Sequence, residues 1–193
     1  MNNLKIQLVK DFNDQLIEID KISDDVIYFV ENYCSGYDGN KIKLLPLQKL
    51  ALKQMQEEKR LSIRAERQSG KTTINILYAL WCLITKDNIK VGIVSNYESL
   101  GNYIMPKFYE LFDNLPVRLK SKLIAKNKNS IKLSNGSSLD IFNKNSTNNI
   151  RGRILDILMF EDFEYINAET YNTFSASTYH SKEAKIFTSE SYL

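Results

Sequence analysis

Two hydrophobic rhythms alternate along the chain. Short apolar runs stand at 60–65, at Lys90-Val-Gly-Ile-Val-Ser95, at Ile154-Leu-Asp-Ile-Leu-Met-Phe160 and at Ala184-Lys-Ile-Phe-Thr-Ser189, the length and composition of strands buried in a parallel sheet. Between them lie longer stretches with helical spacing. Lys71 to Ile84 carries Ile74, Ile76, Leu77, Leu80, Trp81, Leu83 and Ile84, and Glu98 to Phe112 follows the next strand. Ser23-Asp24-Asp25 is a cap for a helix bearing Val26, Ile27, Phe29 and Val30, which stops near Gly36, and Pro46 suits the first turn of another. A short helix is placed over 117–124 and a further one over 168–178. Ser130–Ser134 and Ser137–Phe142 alternate around Asn135-Gly136, the strongest short signal for a hairpin. Residues 1–22 show no clean period and are assigned a strand and a helix in an N-terminal extension, leaving 23–193 as one domain. Alternating strands and helices predict a three-layer α/β fold with a mainly parallel sheet and one antiparallel hairpin.

The candidate chemistry lies where the first of these strands meets the first long helix, at Ala65-Glu-Arg-Gln-Ser-Gly-Lys-Thr-Thr73. Gly70 lets the backbone approach an anion, Lys71 brings a point charge to the outer phosphates, and Thr72 offers a hydroxyl to Mg²⁺. The helix that starts there turns its N–H groups and positive dipole end to the same anion. A Gly-Lys-Ser/Thr triplet arises by chance in roughly one chain in ten of this length, so the flanking strand and helix carry the reading. The general pattern begins with glycine, whereas Ala65 stands there. The strand at 154–160 ends in Glu161-Asp162. In nucleotide hydrolases such a strand tip delivers one carboxylate to the Mg²⁺ shell and often a second to polarise the attacking water; the alternative is a strand running into a solvated acidic turn.

Composition narrows the picture less. The 193 residues suit one well-cored domain. No apolar run reaches the length of a membrane span and Met-Asn-Asn-Leu-Lys carries no apolar leader, so a cytoplasmic protein is expected. Cys34, Cys82 and a single histidine, His180, make neither a zinc site nor a disulfide framework. The net charge of +3 permits nucleic-acid contact without arguing for it.

Taken in order, these pieces resemble one family, the large terminase subunits that package DNA in tailed phages. The resemblance spans about Val26 to Ser189 and rests on Pro46-Leu-Gln48, Arg67-Gln-Ser-Gly-Lys-Thr-Thr73, the Asn135-Gly-Ser137 hairpin, Arg151-Gly152, the acidic pair, and Thr188-Ser189. The non-glycine start of the loop is normal in that family. The resemblance implies an ASCE-type P-loop ATPase domain using ATP and Mg²⁺, with strand 184–189 inserted between strands 60–65 and 154–160. Gln48 would read the adenine edge, and Gln68, Ser69, Gly70, Lys71, Thr72 and Thr73 would hold the phosphates. Arg67 would reach the γ-phosphate in cis, Thr72 and Glu161 would take Mg²⁺, Asp162 would orient water, and Thr188 with Ser189 would couple phosphate loss to the motor. Arg151 matches a family arginine that is either structural support or a group near the γ-phosphate.

Two departures from the family stand out. Its acidic pair runs Asp then Glu, the reverse of Glu161-Asp162, so a nucleotide-binding piece with little hydrolysis is one alternative. A helicase-like translocase is another, against which no Asp-Glu-x-His/Asp box is present. The family also carries further ATPase strands and a nuclease domain, so DNA cleavage is not expected of these residues. Implied partners are double-stranded DNA, a portal protein, a small terminase subunit and copies of the chain in a ring on the procapsid, in the host cytoplasm.

Overall fold

The structure, a computed structural model, describes residues 14–145 and 147–192. In chain order the strands are β1 (Arg60–Ala65), β2 (Lys90–Ser95), β3 (Leu123–Lys126), β4 (Ser130–Leu133), β5 (Ser138–Asn143), β6 (Ile157–Phe160) and β7 (Lys185–Ser191). The helices are α1 (14–24), α2 (Val26–Tyr33), α3 (Pro46–Glu57), α4 (Lys71–Thr85), α5 (Glu98–Asp113), α6 (Thr147–Ile150) and α7 (Ala168–Ser175). The strands form one sheet in the order β1-β7-β6-β2-β5-β4-β3. β1, β7, β6, β2 and β5 run parallel, and β4 and β3 close the far edge antiparallel. β7 lies between β1 and β6, as the resemblance implies.

Strand period places the core. Ile157 and Met159 on β6 join Val91 and Ile93 on β2 in the large cluster beneath α2, α3, α4 and α5, whereas Leu158, Phe160 and Val94 point the other way, to Phe174 of α7. Both sheet faces are therefore buried, which is why these strands read as continuous apolar runs. α4 is the central helix. It is apolar on nearly all sides, and the polar tips of its two buried aromatic residues find backbone partners: the Tyr78 hydroxyl donates to Met55 O at 2.8 Å and the Trp81 indole N–H to Ile22 O at 2.8 Å. The second contact draws α1 onto the core, and the buried Ile22 adds to it. The helix expected in 1–22 corresponds to α1, and the strand expected there lies outside the described residues.

Three boundaries differ from expectation. The stretch 117–124 is a single 3₁₀ turn, Val117–Leu119, followed by β3, because the ladder to β4 satisfies backbone groups that a two-turn helix would leave marginal. β6 begins at Ile157, since at Asp156 the carboxylate and the N–H bond Lys90 N and O. α7 ends at Ser175 and continues as a 3₁₀ turn. The hairpin forms as read. Its Gly136 sits at φ 83°, and Asn135 donates its amide to Leu83 O and Lys86 O, tying the turn to the end of α4.

Candidate nucleotide site

The parallel strands bring three segments to one end of the sheet: the loop between β1 and α4, the tip of β6, and the end of β7. They surround a cleft of about 450 Å³ lined by Arg67, Gln68, Gly70, Lys71, Thr72, Thr73, Glu161, Asp162 and Ser191 together with Tyr97, Tyr103 and Tyr165. A crevice beyond the carboxyl ends of parallel strands is where such sheets bind ligands.

The loop itself is held in an unusual backbone path. Gly70 has φ 89°, a backbone conformation that favours glycine, and a Cβ there would also stand 2.6 Å from Gln48 Nε2 and push that side chain aside. Gln68 also takes a positive φ, 64°. Gln48 braces the turn from α3, its Oε1 accepting from Leu45 N at 3.0 Å and its Nε2 donating to Ser69 O at 3.3 Å. Lys71 is buried, and its ammonium donates to Ala65 O at 2.9 Å and Glu66 O at 2.7 Å. The lysine thus also supports the loop, beyond the outward-facing role its sequence position indicates. The Ser69 hydroxyl is buried and has no hydrogen-bond partner.

At the tip of β6 the two carboxylates occupy different surroundings. Glu161 is 2% exposed. Its Oε2 accepts from Thr72 Oγ1 at 2.9 Å and from Ser189 Oγ at 3.3 Å, and its Oε1 accepts from Asn75 Nδ2 at 2.7 Å. Burial pushes its pKa above the ordinary carboxylate range, against the pull of Asn75, Thr72 and Ser189. Asp162 is only partly buried and sits at φ 48°, a left-handed conformation that aspartate tolerates and that turns the chain sharply after the strand. Burial also raises the Asp162 pKa, with Glu164 adding to it and the cations Lys71 and Arg67 opposing.

A sequence profile for the terminase large subunit, T4likevirus-type, N-terminal region matches residues 63–190, which hold the loop, the acidic pair and the end of β7. The chain belongs to this family. Among solved structures it resembles the HK97 bacteriophage large terminase at 13% identity and TM-score 0.75, covering 87% of this chain and 37% of that one. A large terminase from a thermophilic bacteriophage, solved in complex with ADP, gives 14% identity and TM-score 0.60 over 77% of this chain and 39% of that one. The UvsW helicase of bacteriophage T4 gives 14% and 0.61 over 86% of this chain and 58% of that one. These likenesses show the fold, and the chain spans well under half the length of both terminases.

Within this terminase domain, the structure brings Arg67, Gln68, Gly70, Lys71, Thr72, Thr73, Glu161 and Asp162 to one cleft, with Ser189 attached through Glu161. Thr188 is half-buried, paired in register with Phe160 and Ser62. Gln48 stands against the loop and is not among the residues lining the cleft. Arg151 is exposed and is likewise not among them; its neighbour Arg153 pairs with Asp140 at 3.0 Å. Sequence reasoning missed Asn75 and the three tyrosines. The signal for Asn75 was available: it is an amide among Ile74, Ile76 and Leu77, three residues beyond Thr72 and therefore on the same helix face.

Proposed function

We propose that this chain is the ATP-binding and ATP-hydrolysing part of a phage packaging motor that moves double-stranded DNA into a procapsid. The observation that carries the reading is the Thr72–Glu161 contact at 2.9 Å, which puts the hydroxyl of the phosphate loop and the strand-tip carboxylate within the span of one cation. Hard oxygen donors of this kind fit Mg²⁺, and the partnerless Ser69 hydroxyl and the Lys71 ammonium fit phosphate oxygens. Mg²⁺, when bound, neutralises charge developing on the phosphate oxygens.

The residues divide the work by position. Gly70 and the first turn of α4 present N–H groups to the phosphates. Lys71 exchanges loop carbonyls for phosphate oxygens, and Arg67, exposed on the cleft wall, adds charge at the γ-phosphate in cis. Gln48, already against the loop, reads the adenine edge. Asp162 orients the attacking water from the cleft wall, while Glu161 stays fixed by Thr72, Asn75 and Ser189. Through Ser189, β7 receives any movement of Glu161, which supports Thr188 and Ser189 as the coupling segment. The reversed acidic order is accommodated because the longer Glu161 arm reaches Thr72, with its second oxygen on Asn75. The test is turnover in Asp162→Asn: ATP affinity by calorimetry stays within about twofold of the parent, and hydrolysis falls at least about a hundredfold, as expected for a group acting mainly in the transition state. Equal turnover removes Asp162 from the mechanism. A parent that shows no hydrolysis in a DNA-engaged packaging assembly removes the motor reading.

A further inference from the structure

The positive charge of the chain is concentrated at one edge of the sheet. Between Asp113 and Asp140 there is no acidic residue and there are six cations: Arg118, Lys120, Lys122, Lys126, Lys128 and Lys132. Without them the chain holds 20 basic against 23 acidic residues, a net −3 in place of +3. All six lie on or just before the β3–β4 hairpin, the last two strands of the sheet. Among the described residues none of the six makes an ion pair. Three are seated on neutral groups, with Arg118 over the Tyr33 ring, Lys126 3.8 Å from the Tyr109 centroid, and Lys120 on Asp113 O. Lys122, Lys128 and Lys132 are exposed.

Lysines on an edge strand also guard against edge-to-edge aggregation. Guarding an edge does not require an acid-free stretch of this length. The place of the hairpin points further. Because β4 runs antiparallel to β5, the β3–β4 turn lies at the same end of the sheet as the nucleotide cleft. Lys128 and Asn129 of that turn share a shallow depression with Tyr97, and Tyr97 also lines the cleft. A basic surface and the nucleotide site are thus joined through one exposed tyrosine.

We infer that the β3–β4 hairpin docks the phosphate backbone of duplex DNA, with Lys122, Lys128 and Lys132 as the contacting cations. The identity of the polyanion as duplex DNA rests on the packaging reading above; the surface itself rests on charge and position. From Lys122 to Lys126 the extended chain covers about 13 Å at ~3.3 Å per residue, and a duplex presents one charge per about 1.7 Å of axis. The length of duplex beside it carries on the order of eight phosphates, both strands counted, of which the hairpin faces those on one side. Such contacts release counterions and carry no sequence preference.

The test is binding of a 30-base-pair duplex to the full chain by fluorescence anisotropy across a salt series. It compares the parent, the triple variant Lys122→Ala/Lys128→Ala/Lys132→Ala, and a control of equal charge change, Lys53→Ala/Lys59→Ala/Lys182→Ala, with ATP affinity measured on each. The hairpin variant is expected to lose about 0.9 from the salt slope for each contact removed, two to three in all, and at least tenfold in affinity at 100 mM salt, with its melting temperature and ATP affinity unchanged. The control is expected to keep the parent slope. The inference is overturned if the hairpin variant binds duplex like the parent, if the control weakens equally, if a single strand of the same length binds better than duplex, or if the parent binds no duplex at 50 mM salt. A parent that binds no ATP while its duplex binding depends on the hairpin removes the packaging reading and leaves the surface standing.

Discussion

Replacing Asn75 by alanine tests how the buried carboxylate of Glu161 is kept in place. Asn75 is 1% exposed and donates the shortest of the three hydrogen bonds that Glu161 receives, 2.7 Å against 2.9 and 3.3 Å. A hydrogen bond to a charged group contributes about 1.5–3 kcal/mol and one to a neutral group about 0.5–1.5. The Asn75 Oδ1 is itself buried without a partner, so removing the amide also relieves a cost. That sets the expected loss near the bottom of the first range, about 1–2 kcal/mol when Glu161 is charged. The sign with pH follows from linkage. Burial holds the Glu161 pKa above its ordinary value, so the folded state binds more protons than the unfolded chain, and stability declines as pH rises from the ordinary carboxylate range through the raised pKa. Losing a donor to the charged form raises that pKa further and carries the decline to higher pH. The variant should therefore lose more at pH 8 than at pH 5. At roughly 2–4 °C per kcal/mol for a domain of this size, the melting temperature should fall by about 2–8 °C at pH 8. Equal losses at the two pH values would falsify the reasoning, since they would mean that Asn75 fills space and does not serve the charge.

Two further substitutions probe the same cluster. Lys71→Ala should reduce ATP affinity at least about a hundredfold by calorimetry, with a modest loss of about 1 kcal/mol in denaturant unfolding, because the ammonium also holds Ala65 O and Glu66 O; unchanged affinity would remove the loop assignment. Glu161→Gln should raise the melting temperature of the nucleotide-free protein at pH 8, flatten its pH dependence and abolish the Mg²⁺ dependence of ATP binding. A variant that titrates as the parent does would place the pH-sensitive group elsewhere.

The two periodicities, read from the order of residues alone, settle most of the architecture. Period-two and continuous apolar runs mark β1, β2, β5, β6 and β7, and helical spacing marks α4 and α5, because burial on one or two faces must be written locally in the side chains. Gly70 and Lys71 are legible for the same reason: the turn and the lysine beside it lie within a few residues. β3 is a different case. Its four residues, Leu123-Ile-Ala-Lys126, are all exposed, so their apolar run is too short and carries no alternation to mark a buried face, and only the ladder to β4 makes them a strand. The surroundings of Glu161 are likewise not written locally: it accepts from Asn75 and Ser189, 86 and 28 residues away in the chain. Lys71 belongs to both cases, since its charge is plain in sequence while its grip on the loop carbonyls exists only once the loop has folded back. A buried carboxylate is stable in proportion to the donors around it, and those donors come from two elements, α4 and β7, that meet at the tip of β6 only when β7 has been inserted between β1 and β6.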